Sequence, residues 1–116
     1  MKTGTRYIYN RRQRQTRFIL TMDNYMKASA CHILLKTRQE ADKIKALLDK
    51  GGNFQQLAKK HSTCPSGKKG GDLGEFQPGT MVKGFDNVVF KKEILTVHGP
   101  IKTQFGYHLI KTLYRN

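Results

Sequence analysis

The chain has 116 residues, 37% of them hydrophobic and none of them Trp, so it builds one domain whose modest core rests on Leu, Ile, Val, Phe and Met. Its formal net charge of +14 favours acidic partners and allows weak nucleic-acid contact without sequence preference. No apolar run approaches the ~20 residues of a membrane span, and Phe18-Ile19-Leu20 is too short for a secretory signal, so a cytosolic place and no membrane partner are expected.

Residues 1–26 stand apart. They hold six Lys/Arg against one Asp and are rich in polar side chains. Such a segment cannot bury enough apolar surface to offset its ordering entropy, so it is expected to be a disordered extension and the seat of any nucleic-acid contact. Only Arg17 to Thr21 offers an edge strand. The folded domain is expected over residues 27–116. Cys31 and Cys64, the two cysteines, are expected to be free thiols in a reducing compartment.

Ala28 to Lys36 reads as a strand with Ala28, Ala30, His32 and Leu34 on one face and Ser29, Cys31, Ile33 and Leu35 on the other. Both faces are largely apolar, which predicts a central strand covered on both sides. Thr37 and Glu40 form a capping box for a helix whose stripe is Ala41, Ile44, Leu47 and Leu48. Gly51-Gly52 ends it, and Asn53 caps a second helix that turns Phe54, Leu57 and Ala58 inward. Residues 62–72 are a loop by composition. Leu73 to Phe76 is a short strand, Pro78-Gly79 a turn, and Lys83 to Phe90 a third helix with Phe85, Val88 and Val89 inward. After a break at Gly99-Pro100, Ile101 to Thr103 and Tyr107 to Tyr114 form a hairpin; His108, Ile110, Thr112 and Tyr114 share a face. The order implies an α+β fold, a four-stranded, mainly antiparallel sheet wrapped by three or four helices.

The chemistry concentrates around residues 61–85. Cys64 lies beside glycine-rich backbone, and Met81 and Phe85 follow at one-turn spacing, which suits a small pocket with an apolar floor and a polar rim. A cysteine nucleophile would need a base and a depressed pKa, for which His61, Lys68 and Lys69 are the nearby groups; the alternative is a thiol that only lines the pocket. Cys31 and His32 are adjacent on a strand and point to opposite faces, so they cannot share a metal ion, and no cofactor is expected. His32 and His108, each central in a strand, can hydrogen-bond to one another or to Thr103; proton chemistry and unrelated placement are the other readings. Leu73, Met81 and Phe85 are either core or pocket.

Residues 28–116 resemble the parvulins, small peptidyl-prolyl cis/trans isomerases. The resemblance is carried by His32 to Lys36, Phe54 to Ser62, Gly71-Asp72-Leu73-Gly74-Glu75-Phe76, Gly79-Thr80-Met81-Val82 with Phe85 and Phe90, Gly99-Pro100-Ile101, and Phe105-Gly106-Tyr107-His108-Leu109-Ile110. Each motif is weak alone; their order and spacing make the match, and the chain is similar to the short cytoplasmic bacterial members. The resemblance implies a substrate-binding cup of Leu73, Met81, Phe85 and Phe105 and a catalytic set of His32, Cys64, Thr103 and His108. It implies a monomer acting without cofactor on proline-containing peptides and unfolded clients. The phosphate-directed branch inserts a basic loop after the first strand. Here the Thr37 cap follows Lys36 at once, so phosphospecificity is not expected. A proline-recognising chaperone with little turnover, or a basic nucleic-acid-associated protein, are the competing readings.

Overall fold

The computed structural model describes residues 27–116; the expectations for residues 1–26, including the Arg17–Thr21 strand, lie outside the described residues. Four strands, β1 (Ala28–Leu35), β2 (Asp72–Phe76), β3 (Val97–Thr103) and β4 (Gly106–Arg115), form a fully antiparallel sheet in the order β2-β1-β4-β3. Three α-helices, α1 (Arg38–Asp49), α2 (Phe54–His61) and α3 (Lys83–Lys91), cover it, and a 3₁₀ turn runs over Pro65–Lys69. No described helix is long and apolar enough to cross a membrane.

β1 is flanked on both edges and buried on both faces, as its sequence predicts. One face carries Cys31, Ile33 and Leu35 with Leu109 against Ala41, Ile44, Phe54 and Ala58 of α1 and α2. The opposite face carries Ala28 and Ala30 with Ile110 against Phe85, Val88, Val89 and Phe90 of α3, with Phe76 of β2 closing the cluster. Leu73, Met81, Val82 and Ile101 pack against this second cluster but are only partly buried, and there the layer stays open.

The helix caps follow local chemistry. Thr37 Oγ1 accepts the Glu40 amide at 3.1 Å, and Asn53 Oδ1 accepts the Gln56 amide at 2.9 Å. The expected capping box is half formed, because Thr37 Oγ1 donates to the Glu40 carboxylate instead of the carboxylate accepting the Thr37 amide. Leu47 leaves the expected stripe and is 47% exposed, since four residues spread over more arc than α1 presents to the sheet.

Two breaks of strand periodicity alter the pattern. Between Ser29 and Ala30 the partners on β4 pass from Tyr114 to Thr112, so Leu113 is an extra residue. That bulge turns Tyr114 off the face of His108, Ile110 and Thr112, where alternation alone put it. Tyr114 instead donates to Glu75 on β2, and Arg115 reaches the Val89 and Lys92 carbonyls at 2.9 and 2.6 Å. Gly99-Pro100 does not end a strand either. β3 runs through it with a register shift between His98 and Ile101.

Candidate functional site

The open part of the α3 layer holds a cavity of about 380 Å³. His32 and His108 form its floor, and Leu34, Leu73, Met81, Val82 and Phe85 its apolar walls. Thr63, Cys64 and Pro65 supply one rim and Phe105 the other. Seven of the eight site residues expected from sequence meet here. Thr103 does not touch the cavity; it stands behind His108.

The rim of Thr63 to Ser66 is attached to the free edge of β1. β2 pairs with β1 only as far as Cys31–Asp72. Beyond that point the His32 amide donates to the Gly71 carbonyl at 2.9 Å, and the Thr63 amide donates to the Leu34 carbonyl at 2.8 Å. The Ser62 hydroxyl accepts the amides of Leu34 (3.1 Å) and Cys64 (3.3 Å). The loop thus continues the pairing of the sheet and satisfies backbone groups that would otherwise be orphaned. Gly71 is required for this approach, because with φ +86° any Cβ there would stand 2.3 Å from the His32 carbonyl oxygen. Gly99 has the same role beside His108, with φ +128° and a Cβ position 2.5 Å from the His108 carbonyl oxygen.

The two imidazoles are joined nitrogen to nitrogen, Nδ1 to Nδ1, at 3.0 Å. His32 Nε2 continues to Ser66 Oγ at 3.1 Å, and His108 Nε2 to Thr103 Oγ1 at 2.7 Å. Thr103 Oγ1 also accepts the Phe105 amide at 3.1 Å. A single chain therefore crosses beneath the cavity from one rim to the other. Only one Nδ1 can carry a proton, so the tautomer of one ring dictates that of its partner. If His108 Nδ1–H donates to His32, Thr103 Oγ1–H donates to His108 Nε2 and His32 Nε2–H donates to Ser66 Oγ; in the opposite order Ser66 donates to His32 and His108 donates to Thr103.

Burial first, and the charge of His108 second, push the His32 pKa down to about 4. Burial likewise lowers that of His108. Both rings are neutral at pH 7, and the floor carries no net charge. Phe85 enforces this. Only 2% exposed, it meets both rings edge-on, with centroids 5.5 Å from His32 and 5.4 Å from His108. Phe85 also packs with Phe76 in the core, so it is wall and core together rather than one or the other.

Met81 is set by the turn before α3. Both Asp86 carboxylate oxygens accept the Gly79 amide at 3.2 Å, and the Thr80 amide donates to the Gln77 carbonyl. Half-buried, packed against the α3 cluster and lining the cavity, Met81 offers a flexible thioether to an occupant. Phe105 is 62% exposed at the far rim, where Thr103 holds its backbone.

Cys64 is a half-buried free thiol at the cavity edge. His61, which the sequence offers as its base, does not line the cavity, nor do Lys68 and Lys69. Cys31 lies on the other face of the sheet from His32, in the α1–α2 cluster; burial and Asp72 raise its pKa. Among the described residues no three His, Cys, Asp or Glu side chains gather as a metal site would require.

Sequence reasoning overlooked Ser66, the end of the histidine chain, and the wall residues Leu34, Thr63, Pro65 and Val82. Leu34 was detectable, lying two positions beyond His32 on the same strand face. Ser66 was not, because its reach to His32 depends on how the loop closes on β1.

Residues 14–116 match the sequence profile of the PPIC-type PPIase domain. The foldase protein PrsA of Geobacillus kaustophilus is 50% identical over 91 residues, covering 77% of this chain and 32% of that protein. The chain thus spans about a third of the length of the curated relatives it matches. The crystal structure of peptidylprolyl isomerase PrsA from Bacillus anthracis superposes with a TM-score of 0.77 at 37% identity, over 81% of this chain and 44% of that one. The solution structure of NmPin, the parvulin of Nitrosopumilus maritimus, superposes with a TM-score of 0.69 at 42% identity, over 77% of this chain and 97% of that one.

Proposed function

This chain belongs to the PPIC-type peptidyl-prolyl isomerase family, and on that footing we propose that it accelerates cis/trans rotation about X-Pro bonds in flexible or unfolded polypeptides, without a covalent intermediate. The observation that carries this reading is an almost wholly apolar cavity floored by two neutral, mutually bonded histidines.

Resonance across the amide sets a rotational barrier of ~18–20 kcal/mol, and uncatalysed exchange takes tens to hundreds of seconds. No bond has to break. The planar amide is strongly dipolar and the twisted one less so, because twisting removes the resonance. An apolar enclosure therefore disfavours the ground state relative to the transition state. Leu73, Met81 and Phe85 grip the prolyl ring while the preceding carbonyl swings past Cys64 and the rim backbone. The Cys64 thiol is a weak hydrogen-bond donor there, not a nucleophile, and His61 does not line the cavity beside it. A thousandfold acceleration needs only ~4 kcal/mol of such selectivity.

His32 and His108 act as positioning residues. An ionised floor would favour the dipolar planar amide, so their neutrality is part of the mechanism. Their chain to Ser66 and Thr103 fixes the spacing of the two rims. The two-residue link from Leu35 to Arg38, with Lys36 its one cation, leaves no basic loop for a phosphate and supports a preference for an apolar residue directly before proline. Two free thiols fit a reducing, cytosolic place, and the domain is taken to act as a monomer.

NMR exchange spectroscopy on an X-Pro peptide tests the proposal. Catalytic amounts of the protein should produce exchange cross-peaks between the cis and trans resonances. Binding shifts without exchange would assign the chain to the proline-recognising chaperones.

A further inference from the structure

A second surface groove of about 330 Å³ adjoins the catalytic cavity. The two share Thr63, Cys64 and Pro65 as a common ridge, so a polypeptide with proline in the cavity passes along or over that ridge. The far side of the groove is bounded by Lys59 of α2 and Lys68 of the 3₁₀ turn. Neither lysine is in an ion pair among the described residues; salt bridges there include those of Lys27, Arg38 and Lys45. Among the described residues no acidic side chain lines the groove. Its floor is also well determined. Gly67 is buried beneath it, with its amide on the Cys64 carbonyl at 2.9 Å, and a Cβ there would meet the Ala58 carbonyl oxygen at 2.9 Å.

We infer that this groove is a subsite for a carboxylate side chain of the client, Asp or Glu, lying within three residues of the proline. The inference rests on the isomerase reading and names the substrate class of that site. Two unpaired ammonium groups across a short groove attract one carboxylate more strongly than either would alone, and no acidic neighbour competes. The apolar cavity takes the proline and the residue directly before it; the paired lysines recognise the charge further along. An extended chain advances about 3.3–3.6 Å per residue, so a neighbour of the proline reaches across the ridge. Lysine, a point charge on a flexible stem, suits a subsite that accepts either acid without strict geometry.

The test uses peptides with a constant X-Pro core and Glu or the isosteric Gln at each position from three before to three after the proline. Exchange rates are measured with the full chain and with Lys59→Gln/Lys68→Gln, two exposed positions. At ionic strength of ~0.02 M, at least one Glu peptide should exceed its Gln counterpart in kcat/KM by roughly 3–10-fold, and the gap should shrink at ~0.3 M. The double variant should abolish that gap while turning over the Gln peptides as the parent does. Glu and Gln peptides that react equally everywhere, or a gap that survives the double substitution, would overturn the subsite while leaving the isomerase reading intact. No turnover of any peptide by the parent would instead defeat the isomerase reading.

Discussion

The two faces of the sheet are built from one strand pattern and end in opposite states. Behind β1 and β4, α1 and α2 seal Ile33, Leu35 and Leu109 into an apolar layer whose buried members include no titratable group but the Cys31 thiol. In front, α3 covers only part of the sheet, and two histidines stand where the other face has hydrocarbon. One residue of offset separates Leu109 from His108, and Ile33 from His32. Strand alternation thus places a polar floor back to back with a core that holds it rigid. The sealed layer supplies stability, and the open one leaves a cavity walled by Leu73, Met81 and Phe85.

The sharpest way to break this contrast is Phe85→Ala, which belongs to both roles. The loss of a buried aromatic should cost about 3–5 kcal/mol in stability and remove the wall over the histidines, so denaturant midpoint and turnover should fall together. A variant whose stability stayed near that of the parent would show that Phe85 is pocket alone. Leu109→Ala probes the sealed face. It should cost about 2–5 kcal/mol while kcat/KM per folded molecule changes little, as urea melts and active-fraction kinetics would show. Catalytic loss beyond the unfolded fraction would mean that the faces are not separable.

Met81→Ala reverses that pattern. It should lower kcat/KM by more than tenfold, about 1.4 kcal/mol, with at most about 1 kcal/mol lost in a melt, because the side chain is only half buried. Acid is the next test. Both histidine pKa values are lower in the folded chain, so the unfolded chain takes up protons first as pH falls. Stability should be flat above pH ~6.5 and decline, on the order of 1 kcal/mol or more, as pH falls towards about 4 for His32. Protonation also sets two donors against each other at the Nδ1 contact, so turnover should drop over the same range. Imidazole ¹⁵N shifts that reported a charged His32 ring at pH 6 would contradict the neutral floor. The smallest effect belongs to Cys64→Ser, a few-fold at most in kcat/KM.

Much of this was legible in the sequence. The capped helices were readable because Thr37, Asn53 and Gly51-Gly52 punctuate a clear apolar period. The facing of His32 away from Ile33 follows from simple alternation, and the family motifs carried the cup of Leu73, Met81 and Phe85. What escaped depends on single insertions and on tertiary reach. The extra Leu113 reversed Tyr114, a change that alternation cannot foresee. Pro100 looked like a break but lies in an edge strand, where a missing amide proton is tolerated. Ser66 joins His32 only because the loop after α2 closes on the edge of β1, whereas the Thr103 contact, five residues before His108 across the β3–β4 turn, was within reach of the sequence.

The central claim is that a hydrophobic enclosure, not a thiolate, drives the rotation. Parallel exchange measurements of kcat/KM on one X-Pro peptide with Met81→Ala and Cys64→Ser test it most directly. The account predicts a loss of more than tenfold for the first and a few-fold change for the second. Abolished turnover in Cys64→Ser with near-parental rates in Met81→Ala would contradict it.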